Sequence, residues 1–149
     1  MAAAQAGLEF TVGTVNWSRV IGGGFMTGAV INAVEWGVHA VILDETWTAA
    51  FAALGKTPTG WAVYIPGNFI VGVLAVWFYA GILRPRYGPG PKTAARAGLG
   101  AWVVFVVIPT SAQIPLNLFP NRLLLIVIGV GLVDVTLGTL FGAWLYGDR

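Results

Sequence analysis

The chain has no cysteine, a single histidine and very little charge. Without cysteine it can form no disulfide, use no thiol nucleophile and hold no cysteine-ligated iron–sulfur cluster. Only 9% of its 149 residues are charged, too few to cover the surface of a soluble domain of this size. No basic cluster interleaved with aromatic residues marks a nucleic-acid surface, so we expect no nucleic-acid partner. The scarcity of charge points away from a soluble protein.

The chain is rich in hydrophobic residues. Hydrophobic residues make up 57% of it, and its mean hydropathy is +0.80. One hydrocarbon crossing needs about 20 apolar residues, so the length allows roughly four membrane helices with short connections. The sequence predicts one all-α integral membrane domain, 1–149, with four transmembrane helices in an up-down bundle and a short interfacial helix between the first two. The predicted spans are about 17–43, 60–83, 93–113 and 122–146, and the interfacial helix covers about 45–54.

Lysine and arginine are distributed unevenly between the two predicted membrane faces. One face has Arg19, Arg84, Arg86, Lys92, Arg96 and Arg149, and the other has Lys56 and Arg122. The face richer in basic residues is expected to be cytoplasmic. This predicts a membrane protein with both termini in the cytoplasm. The first 15 residues are expected to form a short tail on the membrane surface.

A proline-rich basic turn separates the second and third predicted spans. It runs from Arg84 to Lys92 with three prolines, so no helix is expected to continue through it. Its cations are candidate contacts for anionic lipid headgroups: Arg84, Arg86, Lys92 and Arg96. The other interpretation of these cations is that they are only a topology signal.

Glycines form a stripe on the first and on the last predicted span. At about 100° per residue, Gly24 and Gly28 share one face of the first span, and Gly131, Gly138 and Gly142 share one face of the last. Small residues at this spacing let two membrane helices approach closely, although the pattern is also common in membrane helices in general. The predicted antiparallel pairs are Gly24 with Gly142, Gly28 with Gly138, Asn32 with Asp134, and Glu35 with Gly131.

Polar residues continue the stripe of the first span. Asn32, Glu35, His39 and Asp134 are predicted to form one buried polar cluster. From a rise of about 1.5 Å per residue, Glu35 and Asp134 lie within about 5 Å of each other in depth. Two carboxyl groups this close in a low-dielectric interior would share a proton, which suits proton-coupled transport. The alternative is a hydrogen-bonded cluster that only locks the helices together.

His39 allows further interpretations. It follows Glu35 by four residues, so the two side chains are expected on one helix face, where they could form a hydrogen bond. A single histidine excludes a di-metal centre of the Glu-x-x-His type, and no metal site is predicted. His39 could still ligate a haem or a chlorin axially, with Trp36 as a wall for the macrocycle. The plainer interpretation is a hydrogen-bonding histidine near the membrane interface.

Two short segments carry a resemblance to known proteins. Residues 16–23 read NWSRVIGG, and residues 86–90 read RYGPG. On these segments the chain resembles small four-helix integral membrane proteins of bacteria that have no assigned function. The resemblance implies a four-span protein of the bacterial inner (cytoplasmic) membrane, and it carries no activity over to this chain. In its size and in the acidic residue of its first span the chain is also similar to small multidrug antiporters. Asp134 has no counterpart in that pattern, so this likeness implies a fold only.

Three functions remain open from the sequence. It contains no Walker motif, nucleophile elbow or zinc-binding cluster, so no catalytic residue is predicted. With the short loops, this favours a non-enzymatic structural or accessory subunit that packs in the lipid bilayer against other membrane subunits or copies of itself. The alternatives are a small proton-coupled transporter that uses Glu35 and Asp134, and a haem- or chlorin-associated subunit with His39 as axial ligand.

Overall fold

A computed structural model describes residues 14–147, and within that range it is helical with no strand. The helices are α1 (Trp17–Ile42), α2 (Asp44–Ala53), α3 (Trp61–Tyr87), α4 (Pro91–Leu116) and α5 (Asn121–Tyr146). All except α2 are long and apolar enough to cross a membrane, which indicates a multi-pass membrane protein. Most of the predicted surface tail, residues 1–13, and the predicted cytoplasmic cation Arg149 lie outside the described residues.

The ends of α1 and α2 follow local chemistry. The side chain of Asn16 accepts a hydrogen bond from the amide of Arg19 at 3.2 Å, which caps the start of α1. Asp44 and Glu45 lie in the first turn of α2, where the helix dipole favours carboxylates. Gly55 follows α2 with a φ of 67°, a left-handed conformation that suits glycine. Both helices end within a residue of their predicted ends.

The turn between α3 and α4 is shorter than predicted. The sequence predicts that no helix continues through the proline-rich stretch, but α3 runs on to Tyr87 and only residues 88–90 separate it from α4. Gly88 and Gly90 make this turn, with φ angles of 79° and 127° that other residues rarely adopt. The prediction was therefore wrong about where the helix stops.

Pro85 in α3 and Pro109 in α4 are tolerated because a wider helical turn precedes each of them. Pro85 follows the π-helical segment Phe78–Leu83, and Pro109 follows the π-helical segment Val103–Val107. A proline ring clashes with the carbonyl group four residues earlier in a regular α-helix. A local π-helical adjustment relieves that clash in membrane helices. Both helices consequently continue past their proline.

The described helices pack mainly around α1 and α5. α1 packs against α3 and α5, and α4 packs against α5. The contacts of α1 with α5 are antiparallel, because Gly23 lies beside Gly142 whereas Ile31, two turns later, lies beside Gly138. In their most apolar stretches only 11% of the residues of α4 are buried, against 39% in α5. α4 is therefore the most peripheral of the four long helices.

The glycine stripe of α1 meets α3 and not α5. A Cβ atom on Gly24 would fall 2.5 Å from the Cα atom of Val73, and one on Gly28 would fall 2.7 Å from the Cα atom of Phe69. The predicted pairs of Gly24 and Gly28 with glycines of the last span are therefore wrong. Both α3 and α5 pack closely against small residues of α1. The periodicity of one glycine stripe does not show which of the two helices contacts it.

The face of α1 that meets α5 is displaced by one residue from the predicted face. A Cβ atom on Gly23 would fall 2.5 Å from the carbonyl oxygen of Gly142, and one on Gly138 would fall 2.9 Å from the carbonyl oxygen of Thr27. The predicted pair of helices is therefore correct, but its register is not. Gly131 faces Val106 of α4, not Glu35, with a Cβ position 2.6 Å from the Cγ1 atom of that valine.

Thr27 supplies a polar contact between α1 and α5. Its buried hydroxyl donates to the carbonyl oxygen of Gly138 at 2.9 Å and also lies 3.1 Å from that of Gly23. Thr27→Val keeps the shape and removes this donor, so we expect it to lower the free energy of unfolding by about 1 kcal/mol, measured in detergent. Thr139→Val is the matched control, because among residues 14–147 the Thr139 hydroxyl bonds only within its own helix. Equal losses in both variants would contradict a role in joining the helices.

Candidate functional site

The polar cluster is built between α1 and α3. Glu35, which is half-buried, accepts a hydrogen bond from Nδ2 of Asn68 at 2.8 Å. The same amide nitrogen donates to Oδ1 of Asn32 at 3.0 Å, and the amide of Asn32 in turn reaches the carbonyl oxygen of Ile65 at 3.5 Å. Asn32 is therefore hydrogen-bonded to α3 and not to Asp134, whose carboxyl oxygens have no partner among the described residues.

Asn68 is a site residue that the sequence pattern did not reveal. It is the one asparagine of α3, and a polar amide in an apolar membrane helix needs a hydrogen-bond partner. The sequence therefore indicates that Asn68 has a partner, but the partner can be identified only once α1 is known to pack against α3. The sequence pairs the glycine stripe of α1 with the last span, which leaves Asn68 without a predicted partner.

Asp134 is the most isolated ionisable group of the cluster. Its side chain is completely buried in α5, and neither carboxyl oxygen has a hydrogen-bond partner among the described residues. The amide of Val135 lies nearby but without hydrogen-bonding geometry. Glu35 lies close enough to act on Asp134 electrostatically. A buried polar group without a partner is uncommon in folded proteins, which makes Asp134 a candidate for function.

His39 is bonded to Trp47 and not to Glu35. Its Nδ1 atom accepts a hydrogen bond from the indole N–H of Trp47 at 3.2 Å, and its ring stacks on Trp61 with the centroids 5.9 Å apart. The predicted hydrogen bond between His39 and Glu35 is not formed, because the carboxyl group of Glu35 accepts from Asn68 instead.

The hydrogen bond from Trp47 determines the tautomer of His39. Because Nδ1 accepts, the neutral ring carries its proton on Nε2. A histidine that ligates a metal through Nε2 does the opposite, since it usually donates its Nδ1–H to a carboxylate or a carbonyl. Trp36, the expected wall for a macrocycle, is 65% exposed. The haem or chlorin hypothesis stays a prediction, and this geometry does not favour it.

Aromatic side chains beside His39 enclose a cavity of about 230 Å³, which we call the aromatic cavity. Glu35 and His39 line it from α1. Its aromatic lining consists of Trp47, Phe51, Trp61, Tyr64 and Phe119. Neighbouring rings in this lining meet edge to face, at angles of 68° to 77° for three of the pairs. The cavity therefore combines one carboxyl group and one imidazole with walls of steeply inclined rings.

A second cavity of about 440 Å³ lies between α1 and α3, and we call it the side cavity. Glu35, Trp61 and Tyr64 line both cavities. Trp36 and Ile65 also line the side cavity and are 65% and 45% exposed, so this cavity lies at the outer surface of the helix pair. Glu35 is consequently accessible from both cavities.

The candidate lipid-contact residues lie at the opposite end of α3 from Glu35 and Asn68. Arg86 and Arg96 flank the ring of Tyr87, with 5.5 and 4.9 Å from guanidinium carbon to ring centroid. Arg84 lies over the ring of Tyr146 at 5.5 Å, and Lys92 is exposed. The contact of this group with anionic lipid stays a prediction.

Comparison with known proteins provides no relative from which to infer a function. The chain matches no protein-family model, no curated protein and no solved structure. The chemistry of the two cavities and of the buried carboxyl groups is therefore the basis for any functional proposal.

Proposed function

We propose that this protein is a small proton-coupled transporter of the bacterial inner membrane, in which Glu35 carries the proton. The observation that supports this is the position of Glu35, which lines both cavities and lies within electrostatic reach of the buried Asp134. Ionisable groups inside a membrane are costly, and they commonly mark proton and ion pathways. Glu35 can exchange a proton with either cavity, whereas Asp134 is sealed from both.

The proposal includes a topology. The four long helices form an up-down bundle, α2 lies along the outer interface, and both termini face the cytoplasm. The antiparallel contacts of α1 with α3 and α5 support the bundle. The excess of basic residues at one end supports the orientation. In this arrangement the aromatic cavity is near the outer face of the membrane.

Two carboxyl groups close together provide the coupling. When Glu35 and Asp134 share one proton, only one of them is charged. The amide of Asn68 donates to Glu35 at 2.8 Å and stabilises its carboxylate form. A solute that binds beside Glu35 changes the free energy of that charge, and by linkage it releases or takes up a proton. Solute binding and proton binding are thus thermodynamically linked.

The test is proton flux in liposomes that contain the purified protein and a pH-sensitive dye. Glu35→Gln removes the titratable group but keeps the size of the side chain, so we expect it to abolish solute-dependent proton flux. Glu45→Gln is the matched control, because Glu45 is an exposed carboxylate in the first turn of α2. It should retain the flux. Thermal unfolding of both variants in detergent verifies that they are folded.

Proton flux that survives in Glu35→Gln at the rate of the unchanged protein would contradict the proposal. So would the complete absence of proton flux for every solute class offered, with folded protein in the membrane. Asp134 alone cannot rescue the mechanism, because it has no access to either cavity.

A second candidate is a structural or accessory subunit. The observation that favours it is the small buried share of α4, whose apolar surface is free to meet lipid or another membrane helix. Blue-native electrophoresis after mild detergent extraction tests it. A stoichiometric complex with other subunits or copies of this chain is the expected result, and a lone monomer would speak against this role.

A further inference from the structure

We infer that the aromatic cavity binds a planar aromatic ligand with an oxygen acceptor, such as the ring head of a quinone-type or phenolic compound dissolved in the membrane. The inference deepens the proposed function, and it rests on that function for the claim that this ligand is the transported solute. The binding itself can be measured without any transport.

The first argument is the hydrogen-bond donor that His39 presents. The indole N–H of Trp47 holds Nδ1 as an acceptor, so the neutral ring has its only proton on Nε2. No described residue accepts a hydrogen bond from Nε2, although His39 is 95% buried and lines the cavity. Nε2 itself is not sealed from the cavity, so its N–H group is open to an acceptor there. A carbonyl or phenolic oxygen of a ligand in the cavity would supply one.

The second argument is the shape of the walls. Trp47 meets Phe119 at 77° and Trp61 at 70°, so the rings form a corner and not a flat stack. A planar ring placed in this corner can stack on one wall and present its edge to another, which are the two arrangements that aromatic pairs prefer. The volume of about 230 Å³ is below the range of about 300 to 1,000 Å³ that is typical for drug-sized ligands. It suits one or two fused rings.

The third argument is the position of Glu35 and of the side cavity. Glu35 can accept a hydrogen bond from a hydroxyl group on the ligand ring, so the two ends of a hydroxylated ring would meet a donor and an acceptor. An apolar substituent on the ring can extend along the side cavity, which Trp36 and Ile65 border at the outer surface of α1 and α3. A ligand dissolved in the bilayer could enter from that side.

An organic cation fits these observations less well. Aromatic rings and a carboxylate do attract cations. The Nε2–H group of His39, however, points the positive end of its dipole into the cavity, and this end repels a cation. The donor in the cavity therefore favours a neutral ligand with an acceptor.

The experiment compares two compounds of similar shape, 1,4-naphthoquinone and naphthalene, by equilibrium dialysis against the whole protein in lipid nanodiscs. We expect the quinone to bind about tenfold more tightly after correction for partition into empty nanodiscs, because only it can accept from His39. The chain contains no cysteine, so addition of a thiol to the quinone cannot imitate binding.

Variants of the donor make the test specific. His39→Leu should lose about tenfold in quinone affinity and leave naphthalene binding unchanged, whereas His39→Gln should retain part of it through its amide N–H. Trp47→Phe keeps an aromatic wall but no longer fixes the tautomer, so it should weaken quinone binding. Trp144→Phe is the control, because Trp144 is 73% exposed and lies in α5 away from the cavity.

Equal affinity for the two compounds would overturn the inference, as would unchanged quinone binding in both His39→Leu and Trp47→Phe. Choline that binds in place of the quinone and depends on Glu35 would also overturn it, in favour of a cation site. Quinone binding that depends on His39, without any proton flux, would leave the ligand assignment standing and remove the proposed function. Proton flux that depends on Glu35, without quinone binding, would remove the ligand assignment alone.

Discussion

Replacing Asp134 with leucine is expected to stabilise the protein and to abolish its proton flux. Both carboxyl oxygens are buried without a hydrogen-bond partner among the described residues. Such a group destabilises the folded state by about 1 to 3 kcal/mol, and leucine has the same branching with no polar atoms. We therefore expect Asp134→Leu to raise the free energy of unfolding by a similar amount, measured by chemical denaturation in detergent.

The functional part of this prediction uses the same liposomes as the test of Glu35. Without Asp134 there is no second carboxyl group to share the proton, so flux should be lost although the protein is more stable. Asp134→Asn keeps the size and a polar group in the same place, and it should lose the flux without the gain in stability. A less stable leucine variant with intact flux would show that Asp134 has a structural role that its missing hydrogen bonds do not reveal.

The second large effect concerns the contact between α1 and α5. A Cβ atom on Gly142 would overlap the hydroxyl of Thr27 and fall 2.5 Å from the carbonyl oxygen of Gly23 and 2.7 Å from Cγ2 of Val76. Backbone atoms on both helices would have to move apart. We expect Gly142→Ala to lower the free energy of unfolding by about 1 to 3 kcal/mol, as overpacking of a core does.

Gly129→Ala is the control in the same helix. No atom lies within 4 Å of a Cβ atom built on Gly129, so the methyl group meets open space. This variant should be neutral or slightly stabilising, because alanine favours a helix over glycine. If the two alanine variants unfolded at the same denaturant concentration, the close approach at Gly142 would not be a source of stability.

The membrane spans were the most predictable part of the fold. An apolar run of this length can satisfy its backbone in lipid only as a helix, so composition and length were enough to identify all four. The ends of α1, α2 and α5 lie within about a residue of the prediction. α3 extends past its predicted end because a π-helical segment accommodates Pro85. Local sequence propensity does not predict such a segment.

The candidate site was less predictable, because it depends on which helices are neighbours. The polar stripe of α1 was visible, and so was the similar depth of Glu35 and Asp134. The sequence does not identify the partner of Glu35, since no periodicity shows that Asn68 of α3 faces α1. The bond from Trp47 to His39 was also hidden, because it requires α2 to fold back over the π-helical end of α1.

The position of α1 between α3 and α5 has a consequence for the biogenesis of the protein. α1 is synthesised before α5, yet the hydroxyl of Thr27 bonds to a carbonyl group 111 residues later in the chain. At a synthesis rate of about 5 to 20 residues per second, α1 waits in the membrane for roughly 5 to 20 seconds before its second partner exists. During this time the face with Gly23 and Thr27 stays uncovered. A nascent chain that lost α5 would keep that face open, and membrane proteases could use it to distinguish an unfinished chain from a complete one.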